Sequence, residues 1–110
     1  MTMNEYQQLA SRTIRKDLGR AHQEEHGVYG LCAEAGEVAG LYQKFFQGHP
    51  ITEEHLIKEL GDCMWMIAEI CTANDIPLDY VATMNIEKLK ARYPEGFTEE
   101  RSVNRDAQDI

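Results

Sequence analysis

From Val28 to Phe46, the apolar residues Leu31, Ala35, Val38, Leu41, Tyr42 and Phe45 fall at i, i+3, i+4 and i+7 spacing. A stripe of that period runs along one side of an α-helix; it cannot lie on one face of a strand, whose side chains alternate. Three other segments repeat the pattern, and no stretch of useful length alternates with period two. Near the N-terminus, Tyr6, Leu9, Ala10, Thr13 and Ile14 share a face of a helix expected over about Asn4 to Leu18. The polar run Gly19 to Gly27 reads as the connection to the second helix. Gln47-Gly48-His49-Pro50 ends that helix, because Gly48 accepts a left-handed conformation and Pro50 cannot continue the helix. Thr52 is a natural N-cap for the third helix, and Glu53 and Glu54 follow where the helix dipole favours negative charge. Leu56, Leu60, Cys63, Met64, Ile67, Ile70 and Cys71 carry its apolar face to about Ala73, before Asn74-Asp75-Ile76-Pro77 breaks it. A fourth helix fits Leu78 to Arg92, and Pro94-Glu95-Gly96 stops it. The expected fold is all-α, a four- to five-helix bundle over residues 1–97, with residues 98–110 as a loose polar tail.

Length and charge narrow the function. The chain of 110 residues suits one domain, and 43% apolar residues suffice for a folded core. A domain this small buries a modest share of its surface when alone, which favours self-association. The formal charge of −8 argues against duplex nucleic acid or an anionic membrane as partner, since both attract cationic surfaces. No apolar run approaches the roughly 20 residues of a membrane span, and Met1 to Leu9 lacks the basic-then-apolar order of a signal peptide. Cys32, Cys63 and Cys71 form neither a disulfide framework nor a Cys-x-x-Cys pair, and Cys63 and Cys71 read as packing thiols. A cytoplasmic location is expected.

Two acidic pairs break the usual separation of charge from apolar stripe. The second helix carries Glu34 and Glu37 in Glu-Ala-Gly-Glu, and the third carries Glu59 and Asp62 in Glu-Leu-Gly-Asp. Spacing of i, i+3 projects both members of a pair from one side of a helix. Ala33, Ala35, Gly36, Ala39 and Gly40 surround the first pair and permit close helix approach; Leu60, Cys63 and Met64 flank the second. Four carboxylates gathered between helices repel one another unless a cation neutralises them. All-oxygen ligation suits hard ions, Mg²⁺ first and Mn²⁺ as the alternative. The bland reading is four solvated surface acids.

Basic residues supply a complement. Lys44 follows Glu37 by two turns, and Lys88 and Arg92, spaced i, i+4, share a face with Asn85. These four are candidates for a phosphate clamp; screening of the Lys-Arg pair by surface acids such as Glu87 is the alternative. Trp65, three residues after Asp62, is a candidate for stacking on a base, with Tyr6 of the same kind; packing is the other use of both rings.

Three stretches, Gly30-Leu31-Cys32-Ala33-Glu34-Ala35-Gly36-Glu37-Val38, Lys58-Glu59-Leu60-Gly61-Asp62-Cys63-Met64-Trp65 and Asn85-Ile86-Glu87-Lys88-Leu89-Lys90-Ala91-Arg92-Tyr93-Pro94, resemble the MazG-like nucleoside triphosphate pyrophosphohydrolases, over roughly residues 28–97. The resemblance implies an all-α fold assembled as a homodimer or homotetramer. It implies that Glu34, Glu37, Glu59 and Asp62 bind Mg²⁺ and serve catalysis, and that Lys88 and Arg92 contact the triphosphate. Many relatives have a second acidic residue beside the first Glu, where Ala33 and Ala35 stand here; the number of ions is left open. The implied reaction converts a nucleoside triphosphate and water into the monophosphate and pyrophosphate. One carboxylate, Glu37 for instance, would orient or deprotonate the water.

Rival readings are weaker on the residues. His22-Gln23-Glu24-Glu25-His26 matches the His-x-x-Glu-His pattern of some zinc peptidases, but Gly27 follows at once and the segment reads as a helix end or loop. A di-iron bundle wants Glu-x-x-His pairs, whereas the pairs here end in Glu37 and Asp62. A non-catalytic dimerisation or regulatory module of the same fold is the alternative to an enzyme.

Overall fold

The computed structural model describes all residues, 1–110, and contains no strand. Its five helices are α1 (Met3–Ala10), α2 (Arg20–Phe46), α3 (Glu53–Ala73), α4 (Leu78–Arg92) and α5 (Glu99–Val103), with one 3₁₀ turn at Ser11–Thr13. The all-α class expected from the periodicity is the observed one. Threonine starts three of the helices: the hydroxyls of Thr2, Thr52 and Thr98 accept the backbone N–H of Glu5, His55 and Arg101 at 3.0, 3.2 and 3.2 Å. Each satisfies one donor that the helix cannot pair internally.

Two boundaries differ from the sequence expectation. The first helix stops at Ala10, not Leu18. Ser11 and Thr13 donate their hydroxyls to the carbonyls of Gln8 and Ala10, both at 2.7 Å, offering the backbone an alternative to further helix. The second helix begins at Arg20, so the polar run expected as a connection is helical from Arg20 onward. Its partners lie on α3. Gly27 is buried, His26 pairs with Glu69, and the Asn74 side-chain amide donates to Glu24 at 3.1 Å. These contacts are invisible to a hydrophobic count because they are made by polar groups and a glycine.

The central unit is the antiparallel α2/α3 hairpin. It closes most tightly near Gly27 and Gly30. A Cβ on Gly27 would stand 2.7 Å from Ile70 Cγ1 and 3.2 Å from the Met66 carbonyl, and one on Gly30 would overlap the Met66 sulfur. By contrast, a Cβ on Gly36 or Gly40 meets open space, so these two glycines serve no close approach within the chain.

Helix α1 lies antiparallel along α3. Tyr6 and Ala10 pack on a core formed by Ala68, Cys71 and Leu78, together with Ile67. α1 also starts α4: Gln7 Oε1 accepts the Leu78 N–H at 2.8 Å, and Asn4 Oδ1 accepts the Asp79 N–H at 2.9 Å. Pro77 at the N-cap of α4 has no side chain for this task, so the cap comes from another helix. Beyond Pro94 the chain reverses at Gly96, whose φ of 91° favours glycine. Residues 98–110, expected as a loose tail, carry α5 and fold back on α4 through two hydrogen bonds between Arg92 and Asp109.

Few side chains are enclosed. Eight of 110 residues are buried. The radius of gyration is 17.0 Å, against about 13 Å for a compact domain of this length. The surface of 8294 Å² exceeds the roughly 6200 Å² expected of a compact monomer of this mass. Tyr29, Tyr42, Phe45, Phe46, Ile57 and Met64 are all exposed. No helix is long and apolar enough to cross a membrane.

Candidate metal centre

Antiparallel pairing of α2 and α3 sets the middle of one helix against the middle of the other. Glu34 therefore faces Glu59 and Asp62. One carboxylate oxygen from each lies within 4.8 Å of the others, and all three residues are half-buried. The i, i+3 spacing on α3 turns Glu59 and Asp62 to the same side. The Glu34 carboxyl is raised above the ordinary value, first by burial and then by the negative charges of Asp62, Glu59 and Glu37. No lysine or arginine is hydrogen-bonded or ion-paired to the three. The donor set is hard oxygen, anionic and preassembled, which fits a divalent cation such as Mg²⁺ or Mn²⁺. His55, one helical turn before Glu59 on the same helix, lies with its Nε2 3.2 Å from Glu59 Oε1. The i, i+4 spacing of His55 and Glu59 is visible in the sequence.

The remaining sequence candidates are distributed. Glu37 is exposed and outside the three-carboxylate set, but its charge reaches Glu34. Tyr6, on α1, lies on the Asp62 side: its phenol is raised by burial and then by Asp62. Trp65 is half-buried, with its indole N–H donated to the Thr13 hydroxyl at 2.7 Å, which fixes the ring against the 3₁₀ turn. Lys44 is exposed near the end of α2, about 15 Å of helix beyond Glu34. Asn85 and Lys88 are exposed on α4. Arg92 is committed to Asp109, and no recorded bond joins any of these α4 side chains to α2 or α3. The phosphate-clamp candidates therefore make no hydrogen bond or ion pair with the carboxylates within one protomer.

The zinc-peptidase pattern at His22–His26 is helical, not a loop, and belongs to no cluster of metal-ligating atoms; His26 is engaged by Glu69. Cys71 is buried and its thiol is raised by that burial, Cys63 is half-buried, and Cys32 is exposed.

The chain is 36% identical over 81 residues to the Gene 37 protein of Mycobacterium phage L5, covering 69% of this chain and 71% of that protein. No solved structure matches it significantly. The family described as the MazG nucleotide pyrophosphohydrolase domain matches residues 22–97, a span that includes both carboxylate pairs and the basic face of α4. This chain belongs to the MazG nucleotide pyrophosphohydrolase domain family.

Proposed function

We propose that this protein is a Mg²⁺-dependent nucleoside triphosphate pyrophosphohydrolase, releasing the monophosphate and pyrophosphate from a ribo- or deoxyribonucleotide. The observation that carries this reading is the convergence of Glu34, Glu59 and Asp62 within 4.8 Å between two helices, with the Glu34 carboxyl raised by its neighbours. Such a cluster costs stability without a cation, and the family places nucleotide chemistry on this domain.

Glu34, Glu59 and Asp62 hold the ion. When bound there, a divalent cation would supply positive charge against the negative charge that develops on the phosphate. Glu37, exposed beside the set, accepts the proton of the attacking water. The new bond forms between water oxygen and the α-phosphorus; the bond to the bridging α,β-oxygen breaks, and pyrophosphate leaves with its electron pair. Lys88 and Arg92, with Lys44 and Asn85, donate hydrogen bonds to the β- and γ-phosphates. Trp65 and Tyr6 flank the base. Residues 1–97 form the catalytic domain, and the working compartment is the cytoplasm, where nucleotides are free; the ligand is a nucleotide, not a nucleic acid.

The working unit is a homodimer or homotetramer. Two observations support this. The surface exceeds that of a compact monomer by roughly 2100 Å², within the range buried by stable homodimers. No hydrogen bond or ion pair joins Lys88 or Arg92 to the carboxylates of their own chain, and a two-fold partner brings cations to each site.

The test is a panel of canonical and modified nucleoside triphosphates with Mg²⁺, reading monophosphate and pyrophosphate separately. Equimolar monophosphate and pyrophosphate support the reading. Absence of turnover across the panel would leave a non-catalytic module of the same fold.

A further inference from the structure

Arg92 is the most enclosed cation in the chain's ion pairs: its side chain and that of Asp109 are each only 13% exposed. The pair is bidentate, with Nε to Oδ2 at 2.6 Å and Nη2 to Oδ1 at 2.8 Å. Two parallel N–H···O bonds are the geometry by which a guanidinium also grips a phosphate. Around this pair lies a cleft of about 460 Å³ between α4 and residues 101–110. Lys88, Arg92, Arg101 and Arg105 line it, against only Asp106 and Asp109. In a chain of formal charge −8, that concentration of cations stands out. Asp106 is used locally, because its Oδ1 accepts the Gln108 N–H at 2.8 Å. Asp109 is the anion that Arg92 holds. Its carboxyl is lowered by the hydrogen bond from Arg92 and then by the charges of Arg92, Arg105 and Lys88, once the opposing effect of burial is met.

The two Arg92–Asp109 bonds are also the side-chain hydrogen bonds that tie residues 106–110 to α4. Release of one aspartate therefore frees the segment. Arg101 and Arg105 sit on the returning segment, so this part of the chain contributes cations as well as the blocking anion.

We propose that this cleft is a polyphosphate-binding pocket occupied by an internal competitor, the Asp109 carboxylate, which leaves Arg92 when a phosphate chain enters. The proposal rests on the phosphate-binding reading of Lys88 and Arg92 given above and adds a gate to it. Apparent affinity is scaled by the fraction of chains whose pocket is open, so a ten-to-one preference for the closed state weakens binding about tenfold.

The experiment is calorimetric titration of the full chain with inorganic pyrophosphate and, separately, with a nucleoside triphosphate carrying a non-hydrolysable α,β-bridge. Both are run without divalent metal, so that the carboxylate centre takes no part. Asp109→Asn keeps the shape and removes the charge; it is expected to bind at least one of the two ligands about tenfold more tightly than the parent. Tightening for pyrophosphate alone assigns the pocket to the product, and tightening for the triphosphate assigns it to the substrate chain; both support the gate. Adding Arg92→Gln to Asp109→Asn is expected to abolish the gain. Glu87→Gln, which removes one charge from α4 without touching Arg92, controls for bulk charge. Unchanged or weaker binding by Asp109→Asn overturns the proposal, as does equal tightening by Glu87→Gln. The binding readout needs no turnover. A chain that hydrolyses nucleotides while Asp109→Asn binds like the parent keeps the enzyme reading and loses the gate. Tightening in a chain without hydrolysis does the reverse.

Discussion

His26 Nδ1 on α2 lies 2.8 Å from Glu69 Oε2 on α3, an exposed imidazole closing over a buried carboxylate. The Glu69 side chain is 4% exposed, on the stretch of α3 that meets Gly27 through Met66 and Ile70. This contact anchors the polar first turns of α2 and thereby the register that sets Glu34 opposite Glu59 and Asp62. His26→Ala removes the partner and leaves an enclosed carboxylate unpaired, at a cost of about 1–3 kcal/mol. Urea unfolding followed by circular dichroism measures it. Stability equal to the parent's would show that the pair does not hold the register.

Gly27→Ala tests the crossing itself. The added methyl gains up to about 1 kcal/mol of helix propensity. It meets Ile70 and the Met66 backbone on α3 at 2.7 and 3.2 Å, so part of the clash is with main chain that cannot swing aside. Overpacking costs about 1–3 kcal/mol, and the expected net effect is a lower melting temperature. A higher one would mean that the helices separate at little cost.

Removal of ligand charge should separate activity from folding. Glu34→Gln and Asp62→Asn each keep side-chain shape, and each is expected to lower pyrophosphate release by roughly two orders of magnitude or more, given the several kcal/mol a metal supplies to such a reaction. Far-UV circular dichroism should remain helical. Turnover at the parental rate in both variants would place the metal centre elsewhere.

The same carboxylates predict a pH trend. In the metal-free fold the Glu34 carboxyl lies above its ordinary 4.5. The folded chain therefore binds this proton more tightly than the unfolded chain. That stabilising contribution is complete below the ordinary glutamate range and is lost as pH rises through the raised value. With chelator present, the melting temperature is expected to rise as pH falls from neutrality towards the ordinary glutamate value. Asp17 and Asp109, lowered by Arg15 and Arg92, give up their contributions only at still lower pH. With saturating Mg²⁺ the trend reverses, because protons then compete with the ion. Scanning calorimetry of parent and Glu34→Gln measures both arms; a chelated parent that follows the Glu34→Gln profile throughout would refute the coupling.

Light scattering over a concentration series tests assembly. The expected mass is a multiple of 12.6 kDa. A fully active monomer at every concentration would contradict the two-fold arrangement.

Helix content, the limits of α3 and α4 and the two acidic pairs were legible in the sequence because they depend on local rules: a 3.6 period, threonine caps, proline stops and i, i+3 projection. The motif stretches around those pairs were enough to indicate the family. Tertiary structure alone decided that α2 starts at Arg20, since its first turns are held by Gly27, His26 and Glu24 against α3, contacts that carry no apolar period. It also decided that Glu34, Glu59 and Asp62 meet while Glu37 stays outside, because helix spacing fixes which side a residue takes but not the register of one helix on another. The return of residues 98–110 onto Arg92 was equally hidden: it rests on one aspartate 17 positions away, and nothing local distinguishes Asp109 from any other acid in a polar segment.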